Sequence, residues 1–192
     1  MLVLALQTAL NHNHGYITAF YYVGCGNPMT ELDTIKEMSD DHKIVRDTLL
    51  EMVDTIKKKD VTKAFELLIN LDKIGGPHFR AEEETMYPEL KQFFGDQYYE
   101  KLLTEHDTVI NAAKKIAETL GKGSLTNEDS QQLVKIIQNE IMPHPITCSG
   151  LEILLERLSA SELETISKNL EASRKADIPL LEWADSIRAR KA

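Results

Sequence analysis

The chain has 192 residues, 42% of them hydrophobic, and a formal net charge of -9 at pH 7; this length suits one domain, and 9 glycines and 6 prolines leave room for long helices. The acidic balance argues against a nucleic-acid or anionic-membrane surface, because both need clustered lysine and arginine. The two cysteines, Cys25 and Cys148, give no disulfide framework, which favours a cytoplasmic protein.

Residues 1–28 are expected to be an N-terminal extension outside the main fold, with no role indicated by the sequence. The segment opens with the apolar run Met1–Leu6 but contains no lysine or arginine, so the basic region of a signal peptide is absent. The run is too short to span a bilayer, and no membrane association is expected. His12 and His14 fit a surface loop better than a second metal site.

The first predicted helix lies between Ile35 and Ile56. Its apolar residues recur every three or four positions, as on the buried face of a helix that packs against others. His42 occupies one of these buried positions. The second predicted helix, from Val61 to about Leu90, is less regular, and His78 and Glu82 stand in it where core residues belong.

The sequence just before His78 is unusual for a helix interior. Gly75, Gly76 and Pro77 stand side by side, and this combination predicts a kink or a break of the second helix into two.

The third and fourth predicted helices carry one histidine each. The stretch from Tyr99 to Leu120 keeps the same apolar rhythm as the first helix, with His106 at a buried position. The fourth begins before Leu133 and places His144 in the pattern. Prolines on both sides of His144 disfavour a regular helix there.

Short connectors join these helices, at residues 58–60, 94–96 and 121–126, the last ending in a Thr126 N-cap with Asp129 three residues later. Short connectors make neighbouring helices antiparallel. We therefore predict an all-α fold: an up-down antiparallel four-helix bundle over residues 29–158 with an extra C-terminal helical segment over residues 159–192.

The C-terminal segment contains two local signals. Ser161 and Glu164 have the spacing of a capping box that would start a short helix. Ile178 to Trp183 is apolar enough that we expect it to pack back onto the bundle.

The four histidines and Glu82 together predict a metal site. A single histidine on an apolar face is more often a hydrogen-bonded core residue than a ligand. Burying several imidazoles and a carboxylate without partners would cost about 1–3 kcal/mol for each group, against a total stability of about 5–15 kcal/mol. One bound cation or a pair would satisfy His42, His78, Glu82, His106 and His144 together.

These residues resemble the hemerythrin-like domains of the HHE cation-binding type. The resemblance covers roughly residues 30–158 and rests on the following stretches: Asp41-His42, His78-Phe-Arg-Ala-Glu82-Glu83 with Met86-Tyr87-Pro88, Glu105-His106-Asp107, and His144. Such a domain implies an up-down four-helix bundle with a non-haem di-iron centre. Its ligands are a histidine on the first and third helices and an HxxxE pair on the second and fourth.

The chain departs from that pattern on the fourth helix, where Cys148 and not glutamate stands four residues after His144. Glu140, four residues before His144 on the same face of a regular helix, is our first choice for the missing carboxylate. Glu152 is an alternative if the chain bends, and Cys148 would be a softer ligand suited to zinc or iron. Cys148 could equally be a small buried packing residue.

The leading functional interpretation is a hemerythrin-like non-haem iron protein, with two iron ions or alternatively one. Histidine-rich coordination leaves open positions where oxygen, nitric oxide or peroxide can bind or be sensed. Three alternatives remain: iron storage or donation, including repair of iron–sulfur clusters; reduction of peroxide or nitric oxide, with Tyr87 or Tyr98 as an electron or proton source; and a metal-free helical interaction module. The sequence assigns no catalytic residue and no protein partner.

Overall fold

The computed structural model describes residues 31–190, with side chains from Thr34 onward, so the expectations for residues 1–28 lie outside the described residues. Within that range the chain forms helices joined by short connectors and no strand, which confirms the all-α prediction. The elements are α1 (Glu31–Lys57), α2 (Val61–Ala81), a π-helical turn (Glu82–Met86), α3 (Tyr87–Leu120), α4 (Asn127–Ile136), a second π-helical turn (Ile137–Ile141), α5 (Pro143–Leu155), α6 (Ala160–Ala176) and α7 (Leu180–Ser186). The up-down order of a four-helix bundle stays a prediction.

Gly95 divides α3 into two helices that meet at a kink. Its backbone has φ 75° and ψ 175°, a left-handed conformation that glycine adopts without steric cost. The kink falls within the connector predicted at residues 94–96. The other predicted connectors are also present, and Thr126 caps α4 through a reciprocal pair of hydrogen bonds with Asp129.

The core consists of two apolar clusters with a polar layer between them. On α1, Met38 belongs to one cluster and Leu49 to the other, and His42 lies between them in sequence. The other helical stretches show the same arrangement, with His78, His106 and His144 each between residues of the two clusters. The three-to-four residue spacing of core positions therefore continues through this layer, where imidazoles occupy those positions.

The Gly75-Gly76-Pro77 stretch does not break α2, and the prediction of a break there is wrong. The glycines have a packing role. A Cβ atom at Gly76 would lie 1.9 Å from the carbonyl oxygen of Ile178, so the C-terminal segment approaches the α2 backbone more closely than any side chain allows. The backbone N–H of Leu181 donates to Asp72 at 2.9 Å, and Trp183 beyond it is buried.

The helix after the bundle begins two residues earlier than the sequence signal suggested. Its N-cap is Ser159, which forms a capping box with Glu162, and not the predicted pair Ser161 and Glu164. Both serines have a glutamate three residues later, and the earlier pair starts the helix. The helix is therefore 17 residues long, not short.

None of the helices in the described part of the chain combines the length and the apolar character needed to cross a bilayer.

Candidate metal centre

Glu82 lies at the centre of the polar layer, and all four predicted histidines point their Nε2 atoms at its carboxylate. Oε1 is 3.2 Å from Nε2 of His78 and 3.7 Å from Nε2 of His42. Oε2 is 3.0 Å from Nε2 of His106 and 3.8 Å from Nε2 of His144. The structure thus brings five of the six predicted site residues into one cluster.

This cluster is closed off from solvent. Glu82 and His106 are completely buried, and the other three histidines are at most 5% exposed. The ring of Phe79 stacks on His106 with centroids 3.8 Å apart and meets the edge of His144. Such an enclosure excludes bulk water and strengthens every charge interaction inside it.

Three of the histidines are oriented from behind by a second carboxylate. In each of them Nδ1 lies within hydrogen-bond distance of an acidic side chain on the far side of the ring from Glu82. The pairs are His78 with Asp41 at 3.1 Å, His106 with Glu83 at 2.8 Å and His42 with Glu152 at 2.7 Å. Histidines that bind metals through Nε2 commonly donate Nδ1–H to a carboxylate in this way, which fixes the tautomer and the ring plane.

His144 differs from the other three because neither of its ring nitrogens has a hydrogen-bond partner among the described residues. Burial, and after it the charge of His106, lowers the pKa of His144 well below its usual value, so the ring is neutral. A buried imidazole nitrogen without a partner costs free energy, and coordination to a metal ion would remove this cost. The unpartnered imidazole of His144 is therefore the observation that fits a bound metal ion.

The carboxylate at the centre of the cluster needs a positive charge to balance it. Burial acts to raise the pKa of Glu82, but His78 and His106 outweigh that effect and hold the pKa well below its usual value. Burial acts in the opposite sense on His78, yet Glu82 and Asp41 raise its pKa to about 10. The buried Glu82 carboxylate is therefore an anion, and its partner is a proton on imidazole or a bound metal.

Two further groups join the cluster. The thiol of Cys148 donates to Oε1 of Glu82 at 2.6 Å, and the ligand atoms of His42, Glu82, His144 and Cys148 all lie within 4.8 Å of one another. The hydroxyl of Tyr87 is 3.0 Å from Nε2 of His106 and 3.3 Å from the sulfur of Cys148.

Tyr98 does not reach this cluster. Its ring packs against Phe94, on the rim of a surface groove that Lys101 and Thr104 also line. Of the two tyrosines considered from the sequence, Tyr87 alone contacts the candidate ligands.

The structure corrects the choice of Glu140 as the fourth-helix carboxylate, because its side chain is exposed. The prediction assumed a regular helix between Glu140 and His144. A π-helical turn spans Ile137–Ile141 instead, closed by a hydrogen bond from Met142 N–H to the carbonyl of Ile137. The extra residue in that turn rotates Glu140 away from the face that carries His144. Glu152, the alternative, does reach the site, behind His42.

Sequence reasoning missed the outer carboxylates Asp41 and Glu83. Each stands directly beside a predicted ligand in the sequence, as Asp41-His42 and Glu82-Glu83. Asp41 on α1 orients His78 on α2, and Glu83 orients His106 on α3. No pattern in the sequence predicts these pairs.

A known protein family matches the part of the chain that holds the four histidines and Glu82. The sequence model of the hemerythrin HHE cation-binding domain family matches residues 33–144. This stretch includes the four histidines and Glu82 but ends before Cys148 and Glu152. No curated protein and no solved structure matches the chain. Since the match covers more than half of the chain and contains the whole histidine cluster, the protein belongs to the hemerythrin HHE cation-binding family.

Proposed function

We propose that the chain is a non-haem iron protein that binds or senses a small ligand such as oxygen, nitric oxide or peroxide. The proposal rests on the family match and on one observation in the site: the two oxygens of Glu82 divide the candidate ligands into two groups. Oε1 faces His42, His78 and Cys148, whereas Oε2 faces His106 and His144.

This division supports two metal ions over one. A carboxylate whose oxygens each face a separate pair of imidazoles is placed to bridge two cations, as in two-metal sites with ions about 3.5–4 Å apart. Under this proposal His42, His78, His106 and His144 would hold the metal through Nε2, Glu82 through its carboxylate oxygens and Cys148 through its sulfur. Glu152 orients His42 from behind and is not itself a ligand.

The donor set favours a transition metal, and the match to the hemerythrin family makes iron our choice among these metals. Four imidazoles, a carboxylate and a sulfur suit iron, zinc or copper, and hard cations such as magnesium would need more oxygen ligands. Iron, when bound, supplies an open coordination position for a small ligand. The chain itself supplies the enclosure: Phe79 covers two histidines, and the Tyr87 hydroxyl is a hydrogen-bond donor inside the site.

Burial favours a retained cofactor over stored or donated iron. The central residues Glu82 and His106 are completely buried, and so is Cys148. Release of an ion from this layer would require the helices around it to separate. A protein that delivers iron is better served by ligands near the surface.

The test is the metal content of the purified protein together with its visible spectrum. We expect close to two iron ions per chain after anaerobic loading with Fe²⁺, and a change of the spectrum when oxygen, nitric oxide or peroxide is added. His106→Ala should abolish this change. Glu128→Ala, on the exposed first turn of α4, is the matched control and should not. Iron content below 0.1 per chain in the wild-type protein after loading would overturn the proposal.

A further inference from the structure

Two arginines from the C-terminal part of the chain contact the carboxylates that stand behind the candidate ligands. The first is Arg174 on α6. Its Nη2 donates to Oδ2 of Asp41 at 3.0 Å, and the same oxygen lies 3.1 Å from Nδ1 of His78. Arg174 also forms an ion pair with Glu37 on α1. A continuous line of contacts thus runs from α6 through Asp41 and His78 to Glu82.

The second is Arg188, directly after α7. Its guanidinium holds Glu83 with two hydrogen bonds, one of them from Nε to Oε2 at 2.9 Å and the other from Nη2 to Oε1. That second oxygen is 2.8 Å from Nδ1 of His106. Nη1 of the same guanidinium lies 2.8 Å from Asp107, and the group sits 5.5 Å from the ring centroid of Trp183.

The two lines of contacts serve different halves of the site. Arg174 acts behind His78, which faces Oε1 of Glu82, and Arg188 acts behind His106, which faces Oε2. Both arginines lie beyond residue 144, where the match to the family ends. Each half of the site is therefore supported by one arginine from a part of the chain that the family match does not include.

We propose that residues 160–190 are a functional part of the metal centre, in which Arg174 and Arg188 are positioning residues for His78 and His106. The inference rests on the proposed function, since it assigns these histidines to a metal. It assigns no chemistry to the arginines themselves. They hold Asp41 and Glu83 in place, and these carboxylates fix the two imidazole rings with Nε2 directed inward.

The physical reason is the cost of leaving a buried carboxylate with too few partners. The side chain of Glu83 is 8% exposed and that of Asp41 15% exposed. Without its arginine each carboxylate would turn toward solvent, and the histidine in front of it would lose its fixed ring plane. Arginine suits the position of Arg188 because its planar fork matches both oxygens of Glu83, which the single ammonium of lysine does not.

The two arginines should differ in how strongly they affect metal affinity. The side chain of Arg188 is 1% exposed and makes two bonds to Glu83, whereas that of Arg174 is 33% exposed. Loss of an outer partner of a metal-binding histidine typically weakens metal binding about 10- to 100-fold. We expect Arg188→Met to fall at the upper end of this range, Arg174→Met at the lower end, and Arg188→Lys between Arg188→Met and the wild-type protein.

The experiment measures two quantities in the full-length protein and its variants. One is the affinity for Co²⁺, by visible absorption titration against a competing chelator. The other is the ¹⁵N NMR signal of the His106 and His78 Nδ1–H groups in the metal-free protein. Arg157→Met is the control, since Arg157 is exposed on the segment after α5. We expect Arg188→Met to weaken Co²⁺ binding and shift or broaden the His106 signal, with Arg157→Met unchanged in both.

The outcomes separate this inference from the proposed function. If the wild-type protein binds neither Co²⁺ nor iron, the proposed function fails, while the Nδ1–H signals still test the positioning. If the wild-type protein binds Co²⁺ and both arginine variants bind it equally well with unchanged histidine signals, the inference is overturned. Should Arg188→Met fail to fold, Arg174→Met decides, because its partly exposed side chain can be replaced at small cost.

Discussion

The thiol of Cys148 donates a hydrogen bond to Oε1 of Glu82 across 2.6 Å, between two side chains that are both completely buried. Hemerythrin-like domains carry a second carboxylate four residues after the fourth-helix histidine, and this chain places sulfur there. The departure therefore puts a soft donor directly on the central carboxylate, and with it a specific optical signature within reach of experiment.

Replacement of Cys148 by serine tests whether the sulfur is a ligand. We expect the iron-loaded wild-type protein to show a thiolate-to-iron charge-transfer band that Cys148→Ser lacks, together with a lower iron content, because a hydroxyl is a harder and weaker donor than a thiolate. Glu140→Ala is the control and should keep both the band and the iron, since Glu140 is exposed. Identical spectra for the serine variant and the wild-type protein would mean that Cys148 is only a packing residue.

Glu82→Gln removes the one anion that all four histidines face. We expect this variant to bind no iron and, at pH 6 without metal, to lose about 3 kcal/mol of unfolding free energy, as when one partner of a buried ion pair is removed. Glu84→Gln, on the exposed side of the same π-helical turn, should cost less than about 1 kcal/mol. Urea unfolding of both variants measures the difference, and equal losses would refute the central role of Glu82.

Alkaline pH should destabilise the metal-free protein. The pKa of His78 is about 10 in the folded state, against 6.5 for an unperturbed histidine, so the folded protein binds the extra proton between these values. The contribution of His78 to stability is complete below about pH 6.5 and is lost as the pH rises to about 10, by up to about 1.4 kcal/mol per pH unit. Bound metal replaces that proton, so urea midpoints of the loaded protein should not show the same decline.

Gly76→Ala tests the close approach of the C-terminal segment to α2. The new Cβ would meet the carbonyl of Ile178, so we expect a loss of about 1–3 kcal/mol or displacement of that segment. Gly150→Ala is the matched control in α5, where a Cβ would meet nothing within 4 Å, and it should be neutral or slightly stabilising. Trp183 is the single tryptophan of the chain, and a red shift of its fluorescence would report the displacement.

Regular helix geometry explains what could be predicted from the sequence. A constant three-to-four spacing carries His42 and His106 through their helices, so their inward direction followed from the apolar residues on either side. The same logic failed for Glu140, because a π-helical turn adds one residue and nothing in the local composition announces it.

Contacts between distant parts of the chain were the other limit of prediction. The glycines at 75 and 76 read locally as helix breakers, but their partner is the backbone near Ile178, about a hundred residues later. Arg188 reaches Glu83 across a sequence separation of 105 residues. Composition and periodicity describe each segment alone, whereas these contacts depend on how the segments pack.

The polar layer between the two apolar clusters also determines how the helices align along their axes. A slide of α3 by a single turn, about 5.4 Å, would push His106 into one of the apolar clusters and bring Leu102 or Ile110 against Glu82. Uniform apolar faces would tolerate such a slide far more easily. The residues that would hold a cation therefore also fix the axial position of each helix relative to its neighbours.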